Sequence, residues 1–236
     1  MSDERFQRTS LLLGEKGIAD LQNSSVMIIG LGAVGGYALE AIARSGVGHL
    51  ILVDFDSFDK TNINRQILAL ESSIGRKKTE VAKERVKQIN PNCEVEIIDM
   101  FIDESNIDRL LSSKVDYVID AIDSLASKCC LLEKLWQKQI PCISSMGAAL
   151  KIDVEAIKIT SLSKTKYCPL AKQVRCNLRR KGVDLSKIMC VCSEEEVPSS
   201  RSSVSGNKIL GSLPTVTAIF GLVMANYVIL RLGLPE

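Results

Sequence analysis

SVMIIGLGAVGGYALEAIARSGVGHLILVD, residues 25–54, changes its hydrophobic pattern twice. The apolar run SVMII leads into glycines, AVGGYALEAIARSG then places apolar residues at helical spacing, and HLILVD is again continuously apolar. Short apolar runs bounded by glycine predict buried strands, whereas the i, i+3, i+4 spacing between them predicts a helix. The stretch therefore predicts a βαβ unit with two parallel strands.

The same alternation continues to residue 146. Further strands are predicted in EVEIIDMF (94–101), VDYVIDAID (115–123) and IPCISSM (140–146), and helices in TEVAKERVKQIN (79–90) and SKCCLLEKLWQKQ (127–139). This predicts an α/β fold, a doubly wound and mostly parallel Rossmann-like sheet with helices on both faces and its ligand at the carboxyl ends of the strands. VEAIKITSLSK (154–164) predicts an antiparallel extension of the sheet, and residues 161–208 are predicted to be largely irregular.

The composition is that of an ordinary globular protein, with 46% hydrophobic and 25% charged residues in a chain of 236. Because the net charge is only +2, any affinity for nucleic acid must come from a local patch. The N-terminus MSDERFQRTS has no apolar segment, which predicts a cytoplasmic protein. The eight cysteines are then expected to stay reduced, and the lack of CxxC pairs argues against structural zinc. The only histidine, His49, is placed at the start of the predicted strand HLILVD, which argues against His-based metal sites and a Ser-His-Asp triad.

Gly30, Gly32 and Gly35 form a GxGxxG pattern between the first strand and its helix. In this context the first glycine allows a tight turn, the second lets a phosphate approach the backbone, and the helix amides face the anion. Asp54 closes the next strand, where an acid binds ribose hydroxyls. The pattern predicts a nucleotide site that fits either NAD or ATP.

The residues that follow favour ATP. Beyond Asp54 the chain carries Asp56, Asn62 and Arg65, and GRKK (75–78) places Lys78 at the start of a helix. A triphosphate needs more cations along its chain than a dinucleotide pyrophosphate does, and Arg65 with one of the two lysines supplies them. The alternative is that NRQ and GRKK are solvated loops.

Asp120 and Asp123 lie in VIDAIDSLASK, at the predicted end of the fourth strand. Mg²⁺ prefers carboxylate and phosphate oxygens, so one of these acids can hold it beside the nucleotide. Asp123 also precedes a helical run, which predicts that it caps the following helix, a role compatible with holding the metal.

A nearly uncharged stretch, LPTVTAIFGLVMANYVIL (213–230), precedes the C-terminus. It is at the short limit for a membrane span and contains Pro214 and Asn226, so no integral membrane segment is expected. A core helix or a homodimer interface is predicted, with weak membrane association as the alternative.

Five motifs in order resemble the E1-like adenylating enzymes. They are RFQRT (5–9), GLGAVGG (30–36), VDFDSFDKTNINRQ (53–66), IGRKK (74–78) and DAIDS (120–124). The resemblance implies that the three glycines form the phosphate loop, Asp54 binds ribose, and Asn62, Arg65 and Lys78 contact the triphosphate. It further implies Asp123 as the Mg²⁺ ligand, a homodimer, and Arg8 reaching the nucleotide of the partner subunit. We expect one domain over residues 1–236, with a nucleotide-binding core at 1–148 and a substrate-binding and dimerisation extension at 149–236.

YCPLAKQVRCNLRRKGV (167–183) is similar to a signature of the tRNA threonylcarbamoyladenosine dehydratase branch, although Tyr167-Cys168 replaces the usual acid. The resemblance implies that the carboxylate of threonylcarbamoyladenosine 37 in tRNA is adenylated and then closes on itself with loss of water. Residues 164–187 carry eight basic residues against one acid, which predicts a phosphate-binding patch or, alternatively, a solvated basic helix. The predicted tRNA contacts are Lys172, Arg175, Arg179, Arg180 and Lys181.

Other activities stay open from the sequence. Some members of this branch have a sulfur-accepting cysteine in the glycine-rich loop before the last helix, whereas GNKILGSLPT (206–215) has none, so a sulfur-transfer partner is only weakly expected. Adenylation of a ubiquitin-like sulfur-carrier protein is the first alternative, although such relatives generally carry two CxxC pairs. A nicotinamide-dependent oxidoreductase or a non-catalytic nucleotide-binding regulator is the second, and neither explains Arg8, Arg65 and Lys78 together.

Overall fold

The computed structural model describes residues 3–198 and 210–234. The strands are β1 (Ser25–Ile29), β2 (His49–Val53), β3 (Glu94–Ile98), β4 (Tyr117–Asp120), β5 (Cys142–Ser145), β6 (Ile157–Ser161) and β7 (Met189–Ser193). The helices are α1 (Gln7–Asn23), α2 (Gly35–Arg44), α3 (Lys78–Ile89), α4 (Ile107–Leu110), α5 (Leu125–Gln137), α6 (Pro169–Arg180) and α7 (Pro214–Gly233). Every strand and helix predicted before residue 146 is present, with ends that differ by a few residues.

Within the described residues these strands form one seven-stranded sheet in the order β3-β2-β1-β4-β5-β7-β6. All neighbours are parallel except β6 and β7. The order reverses between β1 and β4, and Ile29 at the end of β1 pairs with Val53 of β2 and with Asp120 of β4. These three strands therefore end together at the switch point where doubly wound folds bind ligands. The predicted fold class is confirmed.

The prediction that residues 161–208 are largely irregular is wrong in part, because the described portion contains the helix α6 and the strand β7. In α6 only Ala171, Val174 and Leu178 are buried, and the basic residues between them hide this narrow apolar stripe in the sequence. The strand β7 has the sequence MCVCS and lies between β5 and β6, buried along most of its length. A short strand buried on both faces has no alternating pattern by which to recognise it.

The apolar C-terminal stretch forms α7, which packs on α2 and α1. Phe220, Met224 and Val228 are fully buried there, in the same hydrophobic core as β1 and β2. Among the described helices α7 is long and apolar enough to cross a membrane, with a mean hydropathy of 1.7, but 44% of that window is already buried inside the protein. Packing of this kind is that of a core helix.

Candidate active site

The glycine-rich loop is compressed between β1, α2 and the turn after β4. Gly30 has a φ of 89°, and a Cβ atom placed on it would lie 2.7 Å from the carbonyl oxygen of Ala121. A Cβ atom on Gly35 would lie 1.8 Å from the carbonyl oxygen of Gly30. A Cβ atom on Gly32, in contrast, would have its nearest neighbour at 3.8 Å, so the middle of the loop is open to a ligand. The loop thus presents the amides at the start of α2 to an approaching anion.

Asp54 fastens this loop to the end of β2. Its carboxylate is buried, with Oδ2 accepting a hydrogen bond from the Leu31 amide at 2.6 Å and Oδ1 accepting one from the Asp56 amide at 2.9 Å. A carboxylate has four lone-pair positions, so acceptor capacity is left for a ribose hydroxyl. The residue predicted to bind ribose therefore also shapes the loop beside it.

Of the two lysines in GRKK, only Lys78 is buried. Its Nζ lies 3.0 Å from Oδ2 of Asp56, and the side chains are 7% and 48% exposed respectively. Lys77 instead forms an exposed ion pair with Asp99 at 2.9 Å. Lys78 is therefore the cation held at the start of α3, and the half-exposed Asp56 is its ion-pair partner.

Asn62 and Arg65 follow on a short turn whose contacts are mainly local. Asn62 Oδ1 accepts a hydrogen bond from the Asp59 amide at 3.2 Å. Arg65 Nη1 donates to the Thr61 carbonyl and to Asn64 Oδ1, both at 2.9 Å. Within the described part of the chain the other guanidinium nitrogens of Arg65 bond no residue, so they are available to a phosphate.

Gln66 was not among the predicted site residues, yet it borders the open centre of the glycine loop. It is 7% exposed, and its Nε2 is the atom nearest to the Cβ position of Gly32. Its buried Oε1 has no hydrogen-bond partner among the described residues. An unpaired buried amide oxygen is costly, so the side chain is placed to be completed by a ligand or water.

The two acids after β4 have different environments. Asp120 is fully buried and accepts hydrogen bonds from Lys128 Nζ at 2.7 Å and Ser144 Oγ at 2.6 Å. Asp123 is exposed and bonds no described residue. The predicted capping role of Asp123 is wrong, because Ser124 occupies the N-cap position of α5.

A divalent cation fits only the second of these acids. The Asp120 carboxylate is already paired with a buried cation, whereas both oxygens of Asp123 are free of described protein partners. The described residues contain no group of three or more His, Cys, Asp or Glu placed to hold a metal ion. Any Mg²⁺ at Asp123 would therefore complete its coordination with phosphate oxygens and water, which is its usual mode of binding.

Arg8 lies exposed near the start of α1, and its side chain bonds no described residue. The neighbouring Leu11 and Leu12 are 81% and 84% exposed. The contacts within one chain thus do not join Arg8 to the cluster at the switch point.

Four of the five predicted tRNA contacts line one depression of about 440 Å³ on α6. The lining residues are Lys172, Arg175, Cys176, Arg179 and Arg180. Arg175 is held by a hydrogen bond to the Thr165 carbonyl at 2.9 Å. Lys181 is different, because its Nζ pairs with Glu133 at 2.5 Å. The basic surface of α6 therefore consists of four residues, and the charge of Lys181 is compensated.

Cys168 stands where the related signature has an acid, and it lies at the start of α6. It caps α6, and its Sγ accepts hydrogen bonds from the amides of Ala171 at 3.4 Å and Gly147 at 3.3 Å. A hydrogen bond from Cys192, these amides and the nearby Lys151 together lower the pKa of Cys168 to about 6. A lowered pKa favours the thiolate form of Cys168, and a negative charge is favourable at a helix N-terminus.

Two neighbouring cysteines show the opposite shift. Burial raises the pKa of Cys142 and of Cys190 to about 12. Residues 206–209 of the loop GNKILGSLPT lie outside the described residues.

A Rossmann-like sheet with this loop and these cations at its switch point is the architecture of a nucleotide-binding, E1-like protein. The model of the ThiF family matches residues 6–233, and the chain belongs to that family. Within it, the chain is 38% identical to the tRNA threonylcarbamoyladenosine dehydratase of Bacillus subtilis over 97% of this chain and 94% of that protein.

Solved structures give the same result. The Escherichia coli tRNA N6-threonylcarbamoyladenosine dehydratase in complex with AMP superposes with a TM-score of 0.90 at 35% identity, covering 97% of this chain and 94% of the other. The complex of that enzyme with ATP gives a TM-score of 0.89. By contrast, the adenylyltransferase and sulfurtransferase MOCS3 of Drosophila willistoni is 34% identical over only 63% of this chain and 32% of that protein.

Proposed function

We propose that this protein uses ATP to adenylate the carboxylate of threonylcarbamoyladenosine 37 in tRNA, which then closes to a ring with net loss of water. The observation that carries the proposal is the meeting of the glycine loop, Asp54, Lys78 and Asp123 at the switch point of the sheet. Relatives of that name and of nearly equal length support the choice of substrate.

The nucleotide would lie across the carboxyl ends of β1, β2 and β4. Amides at the start of α2 and the open backbone at Gly32 would receive phosphate, and Asp54 would accept from the ribose hydroxyls. Arg65 and Lys78 would neutralise the triphosphate, with Lys78 exchanging Asp56 for a phosphate oxygen. That the related Escherichia coli enzyme was solved with AMP and with ATP supports this placement.

Mg²⁺ would be held by Asp123 together with phosphate oxygens, and when bound it supplies positive charge against the triphosphate. The chain itself then orients the reactants. The substrate carboxylate attacks the α-phosphorus, the bond to the β-phosphate oxygen breaks, and pyrophosphate leaves with that electron pair. A nucleophile within the threonylcarbamoyl group next attacks the acyl carbon and expels AMP. Positioning and electrostatics carry the reaction, so a protein nucleophile is not required.

Recognition of tRNA would use the basic surface of α6. Lys172, Arg179 and Arg180 are exposed there, and Arg175 is oriented by Thr165. Aromatic residues make up only 4% of the chain, which leaves few platforms for stacking unpaired bases. We expect shape and phosphate contacts around the anticodon arm, with adenosine 37 as the one base handled closely.

Assembly as a homodimer is part of the same proposal. Leu11 and Leu12 are exposed on α1 one helical turn after Arg8, and Leu222 is exposed on α7, which packs against α1. Burial of these leucines in a second copy would let Arg8 reach the nucleotide of the partner. The proposal includes a cytoplasmic location. Weak membrane contact through α7 is the alternative role of its exposed apolar residues, and a sulfur-transfer partner has the least support.

The alternative reaction is adenylation of the C-terminal carboxylate of a ubiquitin-like sulfur-carrier protein. It uses the same nucleotide site, and relatives of the MOCS3 type share the part of the chain that forms it. The substrate therefore separates the two reactions, and the ATP site does not.

One experiment tests both. Threonylcarbamoylated tRNA is incubated with the protein and Mg²⁺·ATP, and its nucleosides are analysed by mass spectrometry alongside pyrophosphate release. The proposal predicts a modified nucleoside lighter by one water, about 18 mass units, with one pyrophosphate released per conversion. An unchanged nucleoside, together with pyrophosphate release that depends on a carrier protein, would establish the alternative.

A further inference from the structure

Asp120, Lys128 and Ser144 form a closed network, and all three residues are fully buried. Lys128 Nζ lies 2.7 Å from Asp120 Oδ2 and 3.2 Å from Ser144 Oγ. Ser144 Oγ donates to the same Asp120 oxygen at 2.6 Å. The network therefore joins β4, α5 and β5 directly behind the switch point.

A buried ion pair such as that of Asp120 and Lys128 is not in itself a gain in stability. Removing two charges from water costs several kcal/mol per ion, and well-packed apolar residues in place of a buried ion pair are often neutral or stabilising. The surroundings are strongly desolvating. Burial there also raises the pKa of the nearby thiols of Cys142 and Cys190 to about 12. A buried pair in such a place is better explained by what it holds in position.

The network holds the turn that leads to Asp123. Asp120 Oδ1 accepts a hydrogen bond from the Ile122 amide at 3.0 Å. On the other side of the turn, the Ala121 amide donates to the Ile29 carbonyl at 2.8 Å, and the Ala121 carbonyl lies against Gly30. The backbone between Asp120 and Asp123 is thus fixed between the buried network and the phosphate loop, whereas Asp123 itself bonds no described residue.

We propose that Asp120, Lys128 and Ser144 are positioning residues that set the Asp123 carboxylate at a fixed place relative to Gly30. By doing so they raise the affinity of the protein for Mg²⁺·ATP relative to its affinity for metal-free ATP. This inference rests on the nucleotide site of the proposed function and does not depend on the tRNA substrate. A single exposed carboxylate holds a cation well only if its backbone is already ordered, since otherwise binding must supply the entropy of ordering the turn.

The test compares ATP binding with and without Mg²⁺ by calorimetry. In Asp120→Leu/Lys128→Met the pair is replaced as a unit, so no uncompensated charge is buried. Loss of an outer-shell partner typically weakens metal affinity about 10- to 100-fold, so we expect that loss for Mg²⁺·ATP and less than about a twofold change for ATP in EDTA. Asp123→Asn should give the same pattern. The matched control is Asp108→Asn/Lys134→Met, which removes an exposed ion pair between α4 and the same helix α5 and should change neither affinity.

Equal weakening with and without Mg²⁺, or no weakening in either condition, would overturn the inference. If the double variant melts at the assay temperature, Ser144→Ala decides instead, because it keeps the ion pair and removes one hydrogen bond to Asp120; the selective loss for Mg²⁺·ATP should then be smaller but still present. None of these measurements uses tRNA. Failure of the nucleoside assay would therefore refute the substrate alone, whereas wild-type protein that binds no ATP would refute the nucleotide site and this inference together.

Discussion

The Nζ atom of Lys78 lies 3.0 Å from Oδ2 of Asp56, with the lysine buried and the carboxylate half exposed. Asp56 thereby keeps the ammonium group of Lys78 at the start of α3 when no nucleotide is bound. A phosphate oxygen can then replace the carboxylate, because the half-exposed Asp56 can turn towards water. Arg65 is held in a similar way, through one guanidinium nitrogen only.

Lys78→Met should lower the adenylation rate by about 100-fold or more, because removing one charge-stabilising donor typically costs 10²–10³ in rate. ATP affinity should fall more than AMP affinity, since AMP lacks the outer phosphates. Pyrophosphate release and calorimetry measure the two effects. Lys77→Met is the matched control, as Lys77 pairs with Asp99 in solvent; equal losses in both variants would refute the distinction between the two lysines.

Tighter binding of NADH than of ATP would refute the nucleotide assignment.

Stability should depend on pH through Cys168. Its pKa is lowered from 9.0 to about 6 in the folded protein, so its thiolate contributes stability above the unfolded pKa, and that contribution is lost as the pH falls through 6. Urea unfolding of wild type and of Cys168→Ala should therefore differ more at pH 8.5 than at pH 6.

Cys168→Asp provides the control for this effect. A carboxylate is ionised throughout that range, so this variant should retain the cap of α6 with little pH dependence between 6 and 8.5. A difference between wild type and Cys168→Ala that does not change with pH would mean that the thiol packs without ionising.

Binding of tRNA should depend steeply on salt. The variant Lys172→Ala/Arg179→Ala/Arg180→Ala removes the exposed cations of α6, and the slope of log K against log salt should fall by about one per lost phosphate contact. ATP affinity should not change. Lys158→Ala, on β6 and paired with Glu194, is the control and should leave the slope as it is. An unaltered slope in the triple variant would place the tRNA elsewhere.

Mixed dimers test whether Arg8 acts across an interface. Arg8→Ala and Asp123→Ala should each be inactive alone. When they are mixed, heterodimers contain one complete site, and random assortment restores about a quarter of wild-type activity if Arg8 serves the partner. No restoration in a protein shown by light scattering to be dimeric would place Arg8 in its own subunit's site. Leu11→Asp/Leu12→Asp should give inactive monomers.

The sequence was sufficient for β1 to β5 and for the glycine loop, because the periodicity there is strong and the motif sits in its required context. The local pattern did not distinguish Asp120 from Asp123, and only the resemblance favoured Asp123, since it is the register of β4 with β5 that brings Ser144 beside Asp120. Lys128 was missed for a related reason: a lysine within SKCCLLEKLW has the pattern of a surface residue, and nothing local predicts that its Nζ reaches a buried acid.

The position of β7 between β5 and β6 has a consequence for synthesis of the chain. The strand β6 ends at Ser161, and its sole neighbour in the described sheet begins at Met189. At about 5–20 residues per second, the ribosome needs on the order of seconds to produce that partner after β6 has emerged. For that interval β6 has no strand to pair with and β5 lacks its outer neighbour, so two unpaired backbone edges are open to other nascent chains. The basic segment that later becomes α6 is made within the same interval, and its like charges oppose association of such chains during it.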